Sequence, residues 1–268
     1  MDIWKEAVGG LSTSLAFLTR LPLPSFLFRD PQSADPDAVD AQTVDRAVWA
    51  FPVVGLLIGV VQVLAVMALV ALGAHPWVVA VLVLAGSLML TGALHEDGLA
   101  DVADALGARA REQKLSIMKD SRLGAFGVLA MVLALLLKAV LLAELAGAFN
   151  LCHAVVILIG AAVWSRGLMV VLWGVLPAAS QTGLGSTGPT ARRVWIALGL
   201  SVLILLALMP YGAGLVFWCA LWSIVVLAGF TIFAGWQFGG ATGDVCGAAQ
   251  MLGELTFFAV ALSLIGNG

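Results

Sequence analysis

Three aspartates, Asp97, Asp101 and Asp104, follow a long apolar segment and are spaced by four and three residues. Residues at this spacing lie on the same face of an α-helix. Three like charges on one face repel one another, so the pattern destabilises the helix unless a cation neutralises it. Carboxylate oxygens are ligands that Mg²⁺ prefers. The sequence therefore predicts that these three aspartates bind Mg²⁺.

The alternative interpretation of this cluster is the first turn of a helix, where acidic side chains interact favourably with the helix dipole. It explains Glu96 and Asp97, and it reaches Asp101 at most. It leaves Asp104, two turns further along, without a reason. We therefore favour the metal site.

A second polar segment, KLSIMKDSRLGAFG at 114–127, combines Lys119, Asp120 and Arg122 just before an apolar run. Lysine and arginine beside a carboxylate suit a phosphate with its metal. The two glycines that follow allow a close approach of the backbone. The alternative is that the basic side chains extend from a membrane helix towards water. The adjacent Asp120 favours the phosphate site.

A third segment, GGATGDVCGAAQ at 239–250, places Asp244 among glycines. Glycine-rich turns can present backbone N–H groups to phosphates, and a re-entrant turn in the membrane is the alternative. A similar segment, SQTGLGSTG at 180–188, is better interpreted as a flexible loop. Together, the carboxylates, basic residues and small residues predict phosphoryl or nucleotidyl-phosphate transfer.

The composition indicates that a membrane protein carries these segments. The chain has 268 residues, of which 62% are hydrophobic and 11% charged, whereas soluble domains carry about 25% charged residues. Runs long enough to cross a bilayer lie at 49–72, 77–94, 126–148, 154–176, 194–211 and 214–236. A seventh run, 255–267, is short and is interpreted as a tilted or re-entrant helix. The predicted fold class is all-α, a polytopic integral membrane protein with about six to seven transmembrane helices.

We expect a single integral membrane domain over 1–268. Its N-terminal part, 1–48, contains an interfacial or partly embedded helix at 7–28 that stops at two prolines. An acidic loop with some helix follows at 29–46. The transmembrane bundle occupies 49–268. The net charge of −3 and the lack of a basic stripe exclude nucleic-acid binding.

Charged residues inside the predicted spans are few, namely Lys138, Glu144 and Arg166. Lys138 and Glu144 are six residues apart on one helix, so they are poorly placed to pair with each other. Arg166 could pair with Glu144 or Asp244 across helices, or it could contact a substrate. Both interpretations of Arg166 stay open, since an intramembrane charge is a functional candidate by default.

Lysine and arginine are concentrated on one side of the predicted membrane. Of 13 basic residues, all but Lys138 and Arg166 lie before the first span or in the alternate loops 95–125 and 177–193. The positive-inside rule makes this side cytoplasmic, and alternation places loop 237–254 there too. The sequence therefore predicts that the N-terminus and the loops that form the site are cytoplasmic.

Six sequence blocks carry a resemblance to a known family. They are FLTRLPLP at 17–24, HEDGLADVADALGA at 95–108, KLSIMKDSRLGAFG at 114–127, WSRG at 164–167, GLG at 183–185 and GGATGDVCGA at 239–248. They are spread over most of the chain, and the second and third are the most specific. In these blocks the chain resembles the cobalamin synthase family, the adenosylcobinamide-GDP ribazoletransferases.

The resemblance implies a magnesium-dependent reaction in a cell inner membrane. The cobinamide-phosphate part of adenosylcobinamide-GDP would be transferred to α-ribazole or its 5′-phosphate, with release of GMP. The resemblance also implies three groups of site residues, namely the metal ligands Asp97, Asp101 and Asp104, the phosphate-binding residues Lys119, Arg122 and Arg166, and the catalytic candidates Asp120 and Asp244. Each catalytic candidate would complete the metal shell or act as general base. Family members often carry a basic or small residue at the position of Glu96, which is given no role.

Two other functional classes remain as alternatives. A CDP-alcohol phosphotransferase would need an aspartate where Leu94 stands and an Ala-Arg pair where Asp101 and Val102 stand. A small-solute transporter is disfavoured by the acids clustered in loops and by the lack of matched broken helices in the sequence pattern. The expected partners are the small-molecule substrates and the lipid bilayer, and a homo-oligomer stays open.

Overall fold

The computed structural model describes residues 2–24, 27, 41–120, 122–180 and 186–266. Its α-helices are α1 Asp2–Leu18, α2 Ala41–Ala47, α3 Phe51–Ala71, α4 Pro76–Thr91, α5 Leu94–Ala105, α6 Arg111–Ile117, α7 Ala125–Gly147, α8 Leu151–Ala154, α9 Gly160–Val175, α10 Ala191–Leu208, α11 Ala213–Gln237 and α12 Gly243–Gly266. A π-helical segment, Val155–Ile159, joins α8 to α9. In the described ranges, the β-structure is limited to one isolated bridge between Ala178 and Ala241.

The predicted fold class is confirmed. Within the described residues, six helical segments are long and apolar enough to cross a membrane, and α4 with α5 makes a seventh if the bent pair is one span. The six long predicted runs each overlap a helix of nearly the same extent. Of the other predictions, most of the acidic loop, 29–40, and the GLG block at 183–185 lie outside the described residues.

The last helix, α12, differs from the prediction. The sequence predicted a loop at 237–254 and a short helix at 255–267, whereas α12 runs for 24 residues from Gly243 to Gly266. Polar residues such as Gln250 and Glu254 interrupt the apolar pattern in its first half. Both are buried and bonded inside the protein, so they lower the hydropathy without preventing a membrane helix.

The N-terminal helix also differs from its predicted bounds. It begins at Asp2 and ends at Leu18, before the two prolines that were expected to stop it. Thr19 bonds back to the carbonyl of Leu15 through both its backbone and its hydroxyl. The next backbone N–H, that of Arg20, then donates to the carbonyl of Leu90 at 2.7 Å. The end of α4, rather than proline, therefore fixes where α1 stops.

The chain breaks sharply between α4 and α5, which the sequence did not predict. The two helix axes differ by 87°. Gly92 and Ala93 have left-handed φ values of 66° and 55°. Arg20 packs against Gly92, where a Cβ atom would overlap its side chain. The break turns α5 away from the direction of α4, so that α5 packs against α7 and α12 instead.

The helical segment Leu151–Val175, which contains α9, forms the centre of the bundle and is almost entirely buried. Small residues allow α3 to lie directly on it. A Cβ on Gly59 would lie 2.7 Å from the Cα of Ile159. Helix α12 also packs against α9, and it contacts α5 and α11 as well. By contrast, α10 and α11 are mostly exposed and present apolar side chains such as Trp222 and Ile232 to the lipid.

Candidate active site

The acidic residues meet where α5 crosses the start of α12. Gly98 lies against this helix, and a Cβ there would be 2.8 Å from the carbonyl oxygen of Asp244. The close approach brings the HEDGLAD and GGATGD segments together, 146 residues apart in sequence from Gly98 to Asp244. The carboxylate of Asp101 interacts electrostatically with those of Asp244, Asp97 and Asp104, all of which are negative.

Asp104 has a defined structural partner at the start of α7. One carboxylate oxygen accepts from the backbone N–H of Gly124 at 2.7 Å, and the other accepts from Gly127 at 2.7 Å. Free N–H groups at a helix N-terminus are stabilised by such an acceptor and by its negative charge. The two glycines allow the close approach that was expected, and the group that approaches is this carboxylate. A Cβ on either glycine would overlap it. Asp104 therefore caps α7, and its role as a metal ligand stays a prediction.

The arrangement of the remaining carboxylates suits a magnesium ion held jointly with a phosphate. Among the residues that the structure describes, no group of three or more His, Cys, Asp or Glu side chains is close enough to hold a metal alone. Mg²⁺ usually needs only one or two carboxylates, because waters and substrate phosphates provide the other ligands. Asp97, Asp101 and Asp244 have the right donor chemistry and are close enough to interact electrostatically.

The predicted phosphate-binding segment lies on the loop between α5 and α7. Asp120 and Arg122 form an exposed ion pair of 2.6 Å, and the Arg122 side chain is 87% exposed. Hydrogen bonds from the side chain and the backbone N–H of Arg122 lower the pKa of Asp120 from its ordinary value. Lys119 is exposed as well. The two basic side chains are therefore accessible to a substrate.

Helix α6 ties this loop to the turn that precedes Asp244. The Lys114 ammonium donates to the side-chain oxygen of Gln237 at the end of α11. The Arg111 guanidinium lies on Gly239, which has a left-handed φ of 74°. These contacts hold the loop that carries Lys119 and Arg122 against the α11–α12 turn.

Arg166 lies in a buried charged cluster inside the bundle. Its guanidinium is 2% exposed and donates to the carbonyl of Ala162 at 2.9 Å. It interacts with the charges of Glu254 and Glu96, not with Glu144 or Asp244 as the sequence suggested. These carboxylates were passed over because Glu254 was placed in a loop and Glu96 was given no role. Of the two open interpretations of Arg166, its burial inside the bundle favours a structural role over contact with a substrate.

The other predicted intramembrane charge, Lys138, belongs to the same cluster. Its ammonium lies 3.1 Å from a carboxylate oxygen of Glu254, with both side chains buried. Gln250 donates to the other oxygen of Glu254 at 3.0 Å and to the hydroxyl of Ser165 at 3.1 Å. Glu144, by contrast, is exposed near the end of α7. The prediction that Lys138 and Glu144 do not pair is confirmed.

Known proteins match the chain over nearly its whole length. A profile of the cobalamin-5-phosphate synthase family matches residues 10–262. The chain belongs to this family. A relative from Rhizobium etli (strain CIAT 652) is 39% identical, covering 97% of this chain and 99% of its own. One from Shewanella pealeana is 36% identical, covering 98% of each. Both are named adenosylcobinamide-GDP ribazoletransferase. No solved structure matches.

Membership of the cobalamin-5-phosphate synthase family agrees with the resemblance found in the sequence, and the structure relates its separate blocks. HEDGLAD, KDSRLGAFG and GGATGD meet at one end of the bundle, through Gly98 on Asp244 and through Asp104 on Gly124. The arginine of WSRG lies deeper, in the buried cluster. This division could not be predicted from the sequence, because the way the helices cross decides which polar residues meet.

Proposed function

We propose that the chain catalyses the transfer of the cobinamide-phosphate part of adenosylcobinamide-GDP to α-ribazole or its 5′-phosphate, with release of GMP. The observation that carries the proposal is the family match over residues 10–262, with relatives named for this transfer. The carboxylates at the α5–α12 crossing support it, because phosphoryl transfer relies on positioning and charge neutralisation.

The reaction forms one bond to phosphorus and breaks another. A hydroxyl of the ribazole ribose attacks the phosphorus attached to the corrinoid, and the bond from that phosphorus to the GMP oxygen breaks. The hydroxyl proton passes to a base on the protein. Mg²⁺, when bound, would neutralise the negative charge of the diphosphate.

Metal binding and proton acceptance are assigned to different carboxylates at the α5–α12 crossing. We assign Asp97 and Asp101 to the metal, with Asp244 beside them as the acceptor of the hydroxyl proton. Asp120 is less suited to accept a proton, because hydrogen bonds from Arg122 lower its pKa. Asp104 positions the start of α7 next to the same carboxylates.

The exposed basic residues of the α5–α7 loop bind the substrate phosphates in this proposal. Arg122 presents a guanidinium fork, which suits phosphate oxygens, and Lys119 adds a second positive charge. Helix α6 keeps both near the turn before Asp244. Arg166 is assigned to the buried cluster instead, since its side chain is 2% exposed.

The site faces the cytoplasm of a cell inner membrane in this proposal. All basic residues other than Lys138 and Arg166 lie on the side that carries the α5–α7 loop, which the positive-inside rule makes cytoplasmic. A cysteine at Ala108 in a chain without its own cysteines should react with an impermeant thiol reagent only in inverted vesicles. Reaction from the outer side would refute this orientation.

The direct test is a turnover assay with the purified full chain. We expect GMP to be released from adenosylcobinamide-GDP and α-ribazole in the presence of magnesium, and no release without α-ribazole. A parallel assay with CDP-diacylglycerol and an alcohol tests the phospholipid-forming alternative, and uptake into vesicles tests transport. Activity in either parallel assay without GMP release would overturn the proposal.

A further inference from the structure

A small polar cavity lies inside the bundle, separate from the carboxylates at the α5–α12 crossing. Its volume is about 10 Å³, and its walls come from α3, α4, α5, α7, α9 and α12. Nearly all of the side chains that line it are polar or charged. A cavity of this size has room for about one water molecule.

Four buried polar atoms among the described residues line this cavity and have no partner in the protein. They are Gln62 Oε1, His95 Nε2, Glu96 Oε2 and Arg166 Nε. The four side chains are between 2% and 5% exposed. Buried polar groups are nearly always bonded, and an unbonded one is destabilising. The four atoms therefore point to a ligand that hydrogen-bonds within the cavity.

The charges around the cavity indicate that this ligand is neutral. Lys138 and Arg166 carry two positive charges, and Glu96 and Glu254 carry two formal negative charges. An added ion would leave one charge uncompensated in a low-dielectric interior, which is strongly unfavourable.

The free atoms also match the bonding pattern of water. Glu96 Oε2 and Gln62 Oε1 accept hydrogen bonds, Arg166 Nε donates one, and His95 Nε2 can do either. Water donates two hydrogen bonds and accepts two, so it can serve both kinds of atom together.

We infer that this cavity is a binding site for an ordered water, held by Glu96, Arg166, His95 and Gln62, which fixes the side of α5 that faces the interior of the bundle. This water links α5 to α3 and α9 through groups that do not reach one another directly. Because Asp97 and Asp101 lie on the same helix, a fixed α5 also fixes where those carboxylates stand. Glu96 and His95 are thus positioning residues.

The water itself is tested by an experimental structure of the full chain in nanodiscs, at a resolution that resolves ordered waters. We expect one density peak in the cavity, within hydrogen-bond distance of Arg166 Nε and Glu96 Oε2. A cavity without density, or density with the strength and coordination of a metal ion or chloride, would overturn the inference.

The positioning role is tested by hydrogen exchange of the backbone amides of α5. Glu96→Gln keeps the shape of the side chain but removes its charge, and we expect exchange across α5 to become about tenfold faster. Glu96→Asp should recover part of this protection, because it keeps the charged acceptor. Glu144→Gln is the matched control, since it makes the same chemical change at an exposed position.

The pattern of exchange separates positioning from a general loss of stability. Faster exchange confined to α5 and its neighbours, with α10 and α11 unchanged, is the expected result. Unchanged exchange in α5, or equal acceleration in all helices, would contradict the positioning role. Neither measurement uses turnover, so their outcome is independent of the proposed reaction.

Discussion

The two faces of α5 differ in whether their charges are balanced by charges of opposite sign. On one face, Asp97 and Asp101 meet Asp244, and the side chains that act most strongly on Asp101 are all acidic. On the other, Glu96 faces a cluster in which Lys138 and Arg166 balance it and Glu254. One helix of 12 residues thus separates an unbalanced cluster from a balanced one.

This difference indicates what each cluster is for. Buried charges that are paired inside the protein hold helices together, and they need nothing from outside. Carboxylates gathered without a cation repel one another, so a bound cation with its ligand would stabilise their grouping. In the proposed function, the acidic face of α5 is the binding face, and the balanced face is its support.

The largest expected effect is on turnover, from the acidic face. Asp97→Asn and Asp101→Asn should each lower GMP release by about 10²–10³-fold, because electrostatic stabilisation of the reacting phosphate is lost. Both variants should insert and, without magnesium, melt at or above the temperature of the parent, since each removes one of the negative charges that repel one another. Release that stays near the parental rate at limiting magnesium would refute the binding role, with Glu144→Gln as the matched control.

On the balanced face, the expected effect is on stability. Lys138→Met leaves Glu254 buried without its ammonium, which should lower the free energy of unfolding by about 3–5 kcal/mol. The double variant Lys138→Met, Glu254→Met should recover most of this loss, because no charge is left unpaired. Reversible unfolding in bicelles measures both. A double variant that is no more stable than Lys138→Met would show that the two side chains are not coupled.

The contact between α5 and α12 can be tested through Gly98. Gly98→Ala places a methyl group 2.8 Å from the Asp244 carbonyl, so it should cost about 1–3 kcal/mol through overpacking and lower GMP release. Gly199→Ala is the control, because it lies within α10 with no atom close to its added Cβ. Equal behaviour of the two variants would mean that α5 and α12 need not approach so closely.

Asp104 distinguishes support from binding on the acidic face itself. As a cap of α7, it should tolerate Asp104→Asn with a loss of about 1–3 kcal/mol in stability, because the amide nitrogen cannot accept from one of the two N–H groups. GMP release by the folded variant should then fall much less than for Asp97→Asn. A fall as large as that of Asp97→Asn would instead assign Asp104 to the metal.

Hydropathy alone predicted most of the fold. Apolar runs of about 20 residues have few other solutions in a bilayer, and the predicted spans agree with α3, α4 and α7–α11. The break at Gly92 and the true length of α12 were missed. Both depend on contacts between distant parts of the chain. Arg20 packs against Gly92 at the break, and Lys138 pairs with Glu254 of α12.

The residue types of the site could be predicted from the sequence. Which of these residues bind, which cap a helix and which belong to the buried charged cluster could not. Helical spacing put Asp97, Asp101 and Asp104 on one face, which holds within α5. It could not show that Asp104 points to the N-terminus of a different helix. Nor could it bring Arg166 into one buried cluster with Glu96 and Glu254, because these residues lie on helices that are far apart in sequence.

The smallest effect is expected at the exposed pair of Asp120 and Arg122. Hydrogen bonds from Arg122 lower the pKa of Asp120, so the pair is present at neutral pH and is lost only as the pH falls through that lowered value. Both groups are solvated, so Asp120→Asn should leave thermal stability unchanged. Arg122→Gln should raise the KM for adenosylcobinamide-GDP, because a phosphate contact is removed, whereas Asp120→Asn frees that guanidinium and should not. If Asp120→Asn lowered kcat as strongly as Asp97→Asn, the proton acceptor would be Asp120, and the binding face of α5 would extend onto the loop.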